Sequence, residues 1–459
     1  MKTLYQKYKP YYGDSLRLAI PVVISQIGHT LVQTSDSIII GHFVGTVALA
    51  AVSLVNSIFI IGLVIGLGVS YGITPLIAQH NGRKEFAECG RLLSNSLLIN
   101  SVTGVVLFLL ISFGSMQFID HIDQAPEVVL QAKPYLFLMG VSLFPLMIFN
   151  TFKQFAEGLG FTKQAMLISV FGNILNICLG IIFVKGLFGI KPMGISGVGY
   201  STLIDRCLMA TVMGFYVFSS KNFRSYLKDF ALRNIDRLRS IKLLRIGTPV
   251  AMQYIFEVSA FSGAAILIGI ISPVAQAAHQ VAINLAGLAY MAASGVAASA
   301  AIKSGNFFGA KKHHDLRLSA ISNYHLVIAF MSLTAILFTL CNHFLPWMYT
   351  SDLAVINIAA QLLIIAAFFQ LFDGTQVVGL GVLRGMGDVN IPTVITLIAY
   401  WVIGLPVGYL LGIHFKMGVS GVWYGLVLGL LTASGLLFIR FQTISRKHEF
   451  KAELIIAQD

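Results

Sequence analysis

Three carboxylates stand in the middle of long apolar runs. Asp36 lies inside LRLAIPVVISQIGHTLVQTSDSIIIG (16–41), with Gln33 and His29 before it at spacings of three and four. On a helix those three share one face. Glu257 follows Gln253 and Tyr254 by one turn, and Asp373 sits in FFQLFDGTQVVG between Gln370 and Gln376. Gln280 and Asn284, four apart, put two amides on one face. A carboxylate in hydrocarbon costs about 2.5–3.5 kcal/mol, so such a residue reads as functional by default. Two carboxylates in one low-dielectric cavity repel, which disposes the pair to bind a proton, Na⁺ or an organic cation. Those ligands compete, and competition between a driving ion and a cationic substrate is itself a coupling mechanism. Asp36 with the amides of Asn173 and Asn176 suits either a hard cation or a proton. The bland reading of these groups is interhelical hydrogen bonding, worth about 0.6–2 kcal/mol. Asp205-Arg206 reads as a local charge pair, and His29, His42 and His279 read as packing residues. No catalytic residue is expected.

The elements that must carry these groups follow from composition. Of 459 residues, 56% are hydrophobic and 11% charged, against about 25% charged in soluble domains. The chain is an all-α polytopic membrane protein. Its four cysteines show no metal or disulfide spacing, and three lie in apolar runs where packing explains them. There is no P-loop and hence no ATP site. The first apolar segment lacks a cleavage site and is expected to remain as a spanning helix.

Twelve spans are expected, at about 16–40, 46–72, 92–116, 132–152, 163–186, 194–218, 243–271, 274–300, 318–346, 354–382, 391–413 and 418–442. With the N-terminus cytoplasmic, 26 Lys and Arg fall on the cytoplasmic side and 4 on the other. The positive-inside rule therefore puts both termini inside. It also accounts for the net charge of +12 without nucleic acid.

The two halves repeat. A shift of 227 aligns Val47-Ala48 with Val274-Ala275, Gly82 with Gly309, and Gly158 and Gly160 with Gly385 and Gly387. MGISGVGY (193–200) matches MGVSGVWY (417–424) at six of eight positions. Six spans per half make the repeats parallel, an architecture of secondary transporters. The expected domains are two six-helix bundles, 1–219 and 243–443, an amphipathic cytoplasmic linker 220–242, and a cytoplasmic tail 444–459. In the linker, Phe223, Leu227 and Phe230 form an apolar face suited to a helix on an anionic leaflet. The buried acids do not obey the repeat. Asp36 falls opposite Gly263 or Ala264, and Asp373 opposite Leu146, so each half is expected to have its own chemistry.

These features together resemble the multidrug and toxic compound extrusion (MATE) family, in its NorM-like branch, over essentially the whole chain. The residues that carry the resemblance are Pro21 and Asp36, NILNICLGIIFVKG (173–186), GTPVAMQYIFEV (247–258), AAHQVAIN (277–284) and FQLFDGTQVVGLGVLRGMGD (369–388). It implies twelve helices in two pseudo-symmetric bundles forming a V. It implies export of drugs, dyes and other organic cations against Na⁺ or H⁺, with no cofactor. Glu257 and Asp373 match the paired acids implicated in cation coupling and drug binding. Asp36 matches the acid of the N-terminal bundle, and Asn176 its asparagine partner. Na⁺ is expected at Glu257, Asp373 and Asp36. Gln280 and Asn284 match drug-facing positions, and Gln33 and Phe369 are added to that lining. In two places oxygen ligands of the family pattern are lost: Gly180 stands where a second polar residue is usual, and Phe369 where an aromatic hydroxyl is. The bilayer is the expected setting, in a bacterial inner membrane, with the chain acting as a monomer. A lipid-linked sugar flippase of the same superfamily would favour an Arg-rich cavity, and buried basic residues look nearly absent. An intramembrane enzyme using His279 fits poorly with the internal repeat.

Overall fold

A computed structural model describes residues 2–119, 121 and 125–456 and is helical throughout. Among the described residues, twelve helices are long and apolar enough to cross a membrane. The first six are α1 (Gln6–Phe43), α2 (Thr46–Gly82), α3 (Phe86–Gln117), α4 (Pro126–Gly158), α5 (Thr162–Lys185) and α6 (Ile195–Ser219). The second six are α7 (Arg237–Ile271), α8 (Pro273–Gly309), α9 (His313–Leu340), α10 (Leu353–Gly385), α11 (Asn390–His414) and α12 (Gly418–Glu449). All twelve expected spans are there. Most extend beyond their expected limits, because polar ends continue a helix that hydropathy alone cuts short. Large apolar side chains such as Leu110, Leu333 and Leu340 point outward. That is the arrangement lipid imposes, since a helix satisfies its own backbone and needs apolar side chains outside.

Contacts divide the chain into two compact units, Ile24–Ala251 and Met1–Val23 with Met252–Asp459. The divisions fall inside α1 and α7, not in the linker where the sequence repeat changes over.

In the 252–459 unit, packing is set by small residues. Gly404, Gly408 and Gly412 of α11 face Gly421, Gly425 and Gly429 of α12; a Cβ at Gly421 would meet Gly412 N at 2.6 Å. Such seams let helix backbones touch where lipid gives no hydrophobic drive between helices. Gly385 of α10 lies against α8 in the same way, its missing Cβ 2.5 Å from Ala301 O. Residues 398–404 of α11 form a π-helical stretch just before Pro406, which places Tyr400 in the widened turn. In the 24–251 unit, Gly72 lets α2 approach α7 at Gly247.

The linker is not the expected amphipathic helix. Residues 221–223 and 232–234 are short 3₁₀ turns, and α7 begins at Arg237. Its apolar residues insert into protein. Phe223 is fully buried, its ring 4.9 Å from Phe161 and 5.5 Å from Tyr216, and Phe230 packs on Phe218. Polar ties hold it there: Arg91 to Asp229 at 2.6 Å, Arg239 to Glu88 at 2.6 Å, and the Asp236 N–H to Asn95 Oδ1 at 2.8 Å. Side-chain bonds from α3 thus satisfy backbone groups that a helix would satisfy internally. At the other end, α12 continues as helix to Ile456, so most of the expected tail is its extension. Residues 457–459 of that tail lie outside the described residues.

Candidate functional site

In the 24–251 unit, α1 turns His29, Gln33 and Asp36 into one cavity of about 140 Å³. Asn173 and Asn176 enter it from α5, Asp205 and Arg206 from α6, and Lys153 from α4. The helix-face reading of α1 therefore brings together the residues it named. Asp36 is 7% exposed and Asn176 1%. Asn176 donates through Nδ2 to Thr202 Oγ1 at 3.3 Å. Its Oδ1 is buried without a partner, as are Asp36 Oδ1 and Asp205 Oδ1. The space beside Gly180, where a further ligand was missed in the sequence, is taken by Ile39 and by Ser201, whose hydroxyl donates to Val198 O.

Two features of this cavity differ from the sequence reading. Asp205 and Arg206 do not bond to each other as a local pair. Adjacent residues on a helix diverge by about 100°. Arg206 donates to Ser142 Oγ at 2.6 Å and lies 5.1 Å from the Phe59 ring, while its charge acts on both Asp36 and Asp205. Lys153 lies one residue past the expected span 132–152, and so among the 26 bases expected on the cytoplasmic side, but it is buried in α4 with Nζ 4.0 Å from Glu157. The expectation that buried bases are nearly absent fails here. The cause was a helix end set at 152 when α4 runs to Gly158.

In the 252–459 unit, α7 carries Glu257, α10 Asp373, α8 Tyr290 and α11 Tyr400. Glu257 and Asp373 are 7% and 3% exposed and lie within each other's electrostatic reach. The Tyr290 hydroxyl hydrogen-bonds Glu257, and Arg384 acts on the same carboxylate. Asp373 Oδ1 has no partner. Gln376 Oε1 accepts from Tyr400 at 2.8 Å and Gln370 Oε1 from Thr334 at 3.1 Å. The amides flanking Asp373 thus have their oxygens tied to other helices. Aromatic hydroxyls, which the Phe369 position had led us to miss, come from Tyr290 and Tyr400. A tyrosine inside the apolar run ITLIAYWVIG was the available signal.

The remaining expected residues fall as follows. Gln280 and Asn284 are exposed on α8 and bonded to each other at 2.9 Å. Phe369 is core: it is 2% exposed and packs on Trp423 at 5.4 Å and Phe261 at 5.9 Å. Its bulk fills space between helices, so it does not line an open site. His279 is a packing residue that accepts from Trp423 Nε1 at 3.1 Å. His29 lines the cavity and His42 is exposed, so neither matches the packing role expected for it. Cys178 and Cys207 are exposed on helix surfaces rather than packed inside. Among the described residues, no three His, Cys, Asp or Glu side chains gather as a metal group. An ion held here would draw on amide and hydroxyl oxygens beside no more than two acids, which suits a hard cation.

The MatE family model matches the chain twice, over residues 21–182 and 249–410, two stretches of equal length. The multidrug resistance protein NorM of Vibrio parahaemolyticus is 32% identical over 96% of this chain and 97% of its own. A probable multidrug resistance protein NorM of Idiomarina loihiensis is 30% identical over 96% of each chain. A solved MOP superfamily transporter from Pyrococcus furiosus superposes with a TM-score of 0.86 at 20% identity, covering 96% of this chain and 97% of that one.

Proposed function

The chain belongs to the MATE family of cation-coupled multidrug efflux transporters, and on that premise we propose that its coupling acids are Asp36 with Asn176 in one unit and Glu257 with Asp373 in the other. The chain is a transporter and not an enzyme. Its relatives' names point to drug-like small molecules, and buried acids suit cationic ones. Na⁺ or H⁺ moving inward neutralises the acids that hold the organic cation, so influx of one releases the other outward. Gln33, Gln280 and Asn284 offer polar contacts to the drug. We infer a bacterial inner-membrane location with both termini cytoplasmic, on the Lys and Arg bias.

The observation that carries this reading is a pair of orphaned oxygens. Asp36 Oδ1 and Asp373 Oδ1 are both buried and unpartnered, one in each unit. A buried charge without a partner is strongly destabilising, so each is kept for a ligand that comes and goes.

Ethidium efflux from proteoliposomes tests it, under a Na⁺ gradient or a pH gradient imposed alone. Asp36→Asn, Glu257→Gln and Asp373→Asn are expected to lose at least tenfold of the driven rate, as about 1.4 kcal/mol of coupling corresponds to tenfold. Efflux at the wild-type rate in all three inserted variants would remove these residues from coupling.

A further inference from the structure

We propose that Asp205 is the second carboxylate of the cation site in the 24–251 unit, and that Arg206 beside it limits that site to one Na⁺. The proposal rests on the reading of Asp36 as a cation ligand. Asp205 has no counterpart in the other half, because the 224-residue shift of the shared octet puts Gly429 opposite it and Leu430 opposite Arg206.

The geometry points to ligation in three ways. Asp36, Asn176 and Asp205 come from α1, α5 and α6 and line one cavity, each with a buried Oδ1 that bonds to nothing in the protein. Asn176 is 1% exposed and Asp205 4%, so water does not readily serve these atoms. Asn176 is held by Thr202 through its Nδ2, which leaves Oδ1 as its free end. Oxygens of this kind are what a hard cation takes. Room for Asp205 is made by Gly172 of α5, where a Cβ would stand 2.5 Å from Asp205 Oδ1. The oxygen ligand lost at Gly180 of α5 is thus supplied one helix away.

Charge sets the capacity. The charged residues lining the cavity are Asp36, Asp205, Lys153 and Arg206, and Glu157 stands beside Lys153. Fully ionised, they leave one negative charge. Lys153 lies beside Glu157, so Arg206 is the fixed charge that offsets one of the two carboxylates at the ligand. One Na⁺ completes the balance, whereas a second would meet net repulsion.

Equilibrium binding of ²²Na⁺ to the purified full chain in detergent tests this, in a Glu257→Gln/Asp373→Asn background so that the other unit's acids are silent. That background is expected to bind one Na⁺. Adding Asp205→Asn is expected to weaken binding at least tenfold, and adding Arg206→Gln to tighten it or admit a second ion. Gly172→Ala keeps every charge and is expected to weaken binding by displacing Asp205. Thermal unfolding of each variant reports whether the fold survives. Unchanged Na⁺ affinity in a folded Asp205→Asn protein, with affinity lost in Asp36→Asn, overturns Asp205 as a ligand and leaves the Asp36 site standing. Unchanged affinity in Asp36→Asn strikes the Asp36 reading itself and the proposal with it. The absence of Na⁺ binding in the background protein also overturns the proposal.

Discussion

The two units solve one electrostatic problem with different parts. Around Asp36, acids and bases are interleaved: Asp205 shares its cavity with Arg206 and Lys153, and Glu157 stands beside Lys153. Around Glu257 and Asp373, one guanidinium, that of Arg384, acts on Glu257, and phenols fill out the site from Tyr290 and Tyr400. Both groups, fully ionised, leave one uncompensated negative charge. The repeat therefore conserved a scaffold and a net charge while the residues carrying that charge diverged. A site built on fixed internal ions responds to charge substitutions. A site built on neutral donors responds to the loss of hydrogen bonds.

The scaffold itself differs at one seam, and the largest expected effect is there. Gly425 of α12 touches the α11 backbone at Gly408, and the octet shift puts Ser201 opposite it in the other half. Ser201 is fully buried with its hydroxyl on Val198 O, so that half accommodates a side chain at the same place. Gly425→Val must push α11 off α12, and overpacking of this kind costs about 1–3 kcal/mol or more. Thermal unfolding in detergent is expected to fall by several degrees for Gly425→Val. Ser201→Ala, which only removes a local hydrogen bond, is expected to cost about 1 kcal/mol or less. Equal losses in the two variants would show that the halves do not differ at this seam.

Hydrogen-bond deletions at the acids come next in size. Tyr290→Phe removes the hydroxyl that bonds Glu257. Bonds to charged groups contribute about 1.5–3 kcal/mol, and this donor stabilises the empty carboxylate, so without it half-maximal efflux is expected at a driving-ion concentration roughly 10–100 times lower. Thr202→Val takes from Asn176 Nδ2 a neutral partner at 3.3 Å, worth about 0.5–1.5 kcal/mol, or roughly two- to tenfold. A smaller shift for Tyr290→Phe than for Thr202→Val would contradict the division into a donor-built and an ion-built site.

How much of this was legible in the sequence depends on what each residue touches. The twelve spans, the repeat and the α1 face of His29, Gln33 and Asp36 follow from periodicity, because hydrocarbon constrains each helix one at a time. The linker was misread since amphipathicity says that a face is apolar and not what covers it: Phe223 found Phe161 and Tyr216 where a lipid surface was expected. Lys153 was lost to a boundary six residues short, and with it went the argument against a flippase from scarce buried bases. Family membership now carries the transporter assignment without that argument. Tyr290 and Tyr400 were passed over, and Asp205 was read only as the local partner of Arg206, because each gains its meaning from another helix. No spacing along the chain reports that Asp205 meets Asn176 and Asp36. Phe369 shows the converse error, where position in a motif suggested a surface and packing against Trp423 made it core.

The smallest effect separates drug contact from ion coupling. Gln280 and Asn284 bond to each other on an exposed face of α8, and neither is among the groups that act on Glu257 or Asp373. Replacing either by Ala removes one neutral, solvent-reached hydrogen bond and leaves the acids as they are, so stability is expected to change by about 0.5 kcal/mol or less. If the pair contacts drugs, Gln280→Ala shifts the half-saturating ethidium concentration by roughly two- to tenfold, the worth of one neutral hydrogen bond, while the ion concentration for half-maximal efflux stays put. Measuring both concentrations on the same proteoliposomes decides the matter. A change in the ion dependence would tie α8's exposed amides to the acid pair and blur the line between the two chemistries. A change in neither would leave the acids as the drug's anchor in this unit.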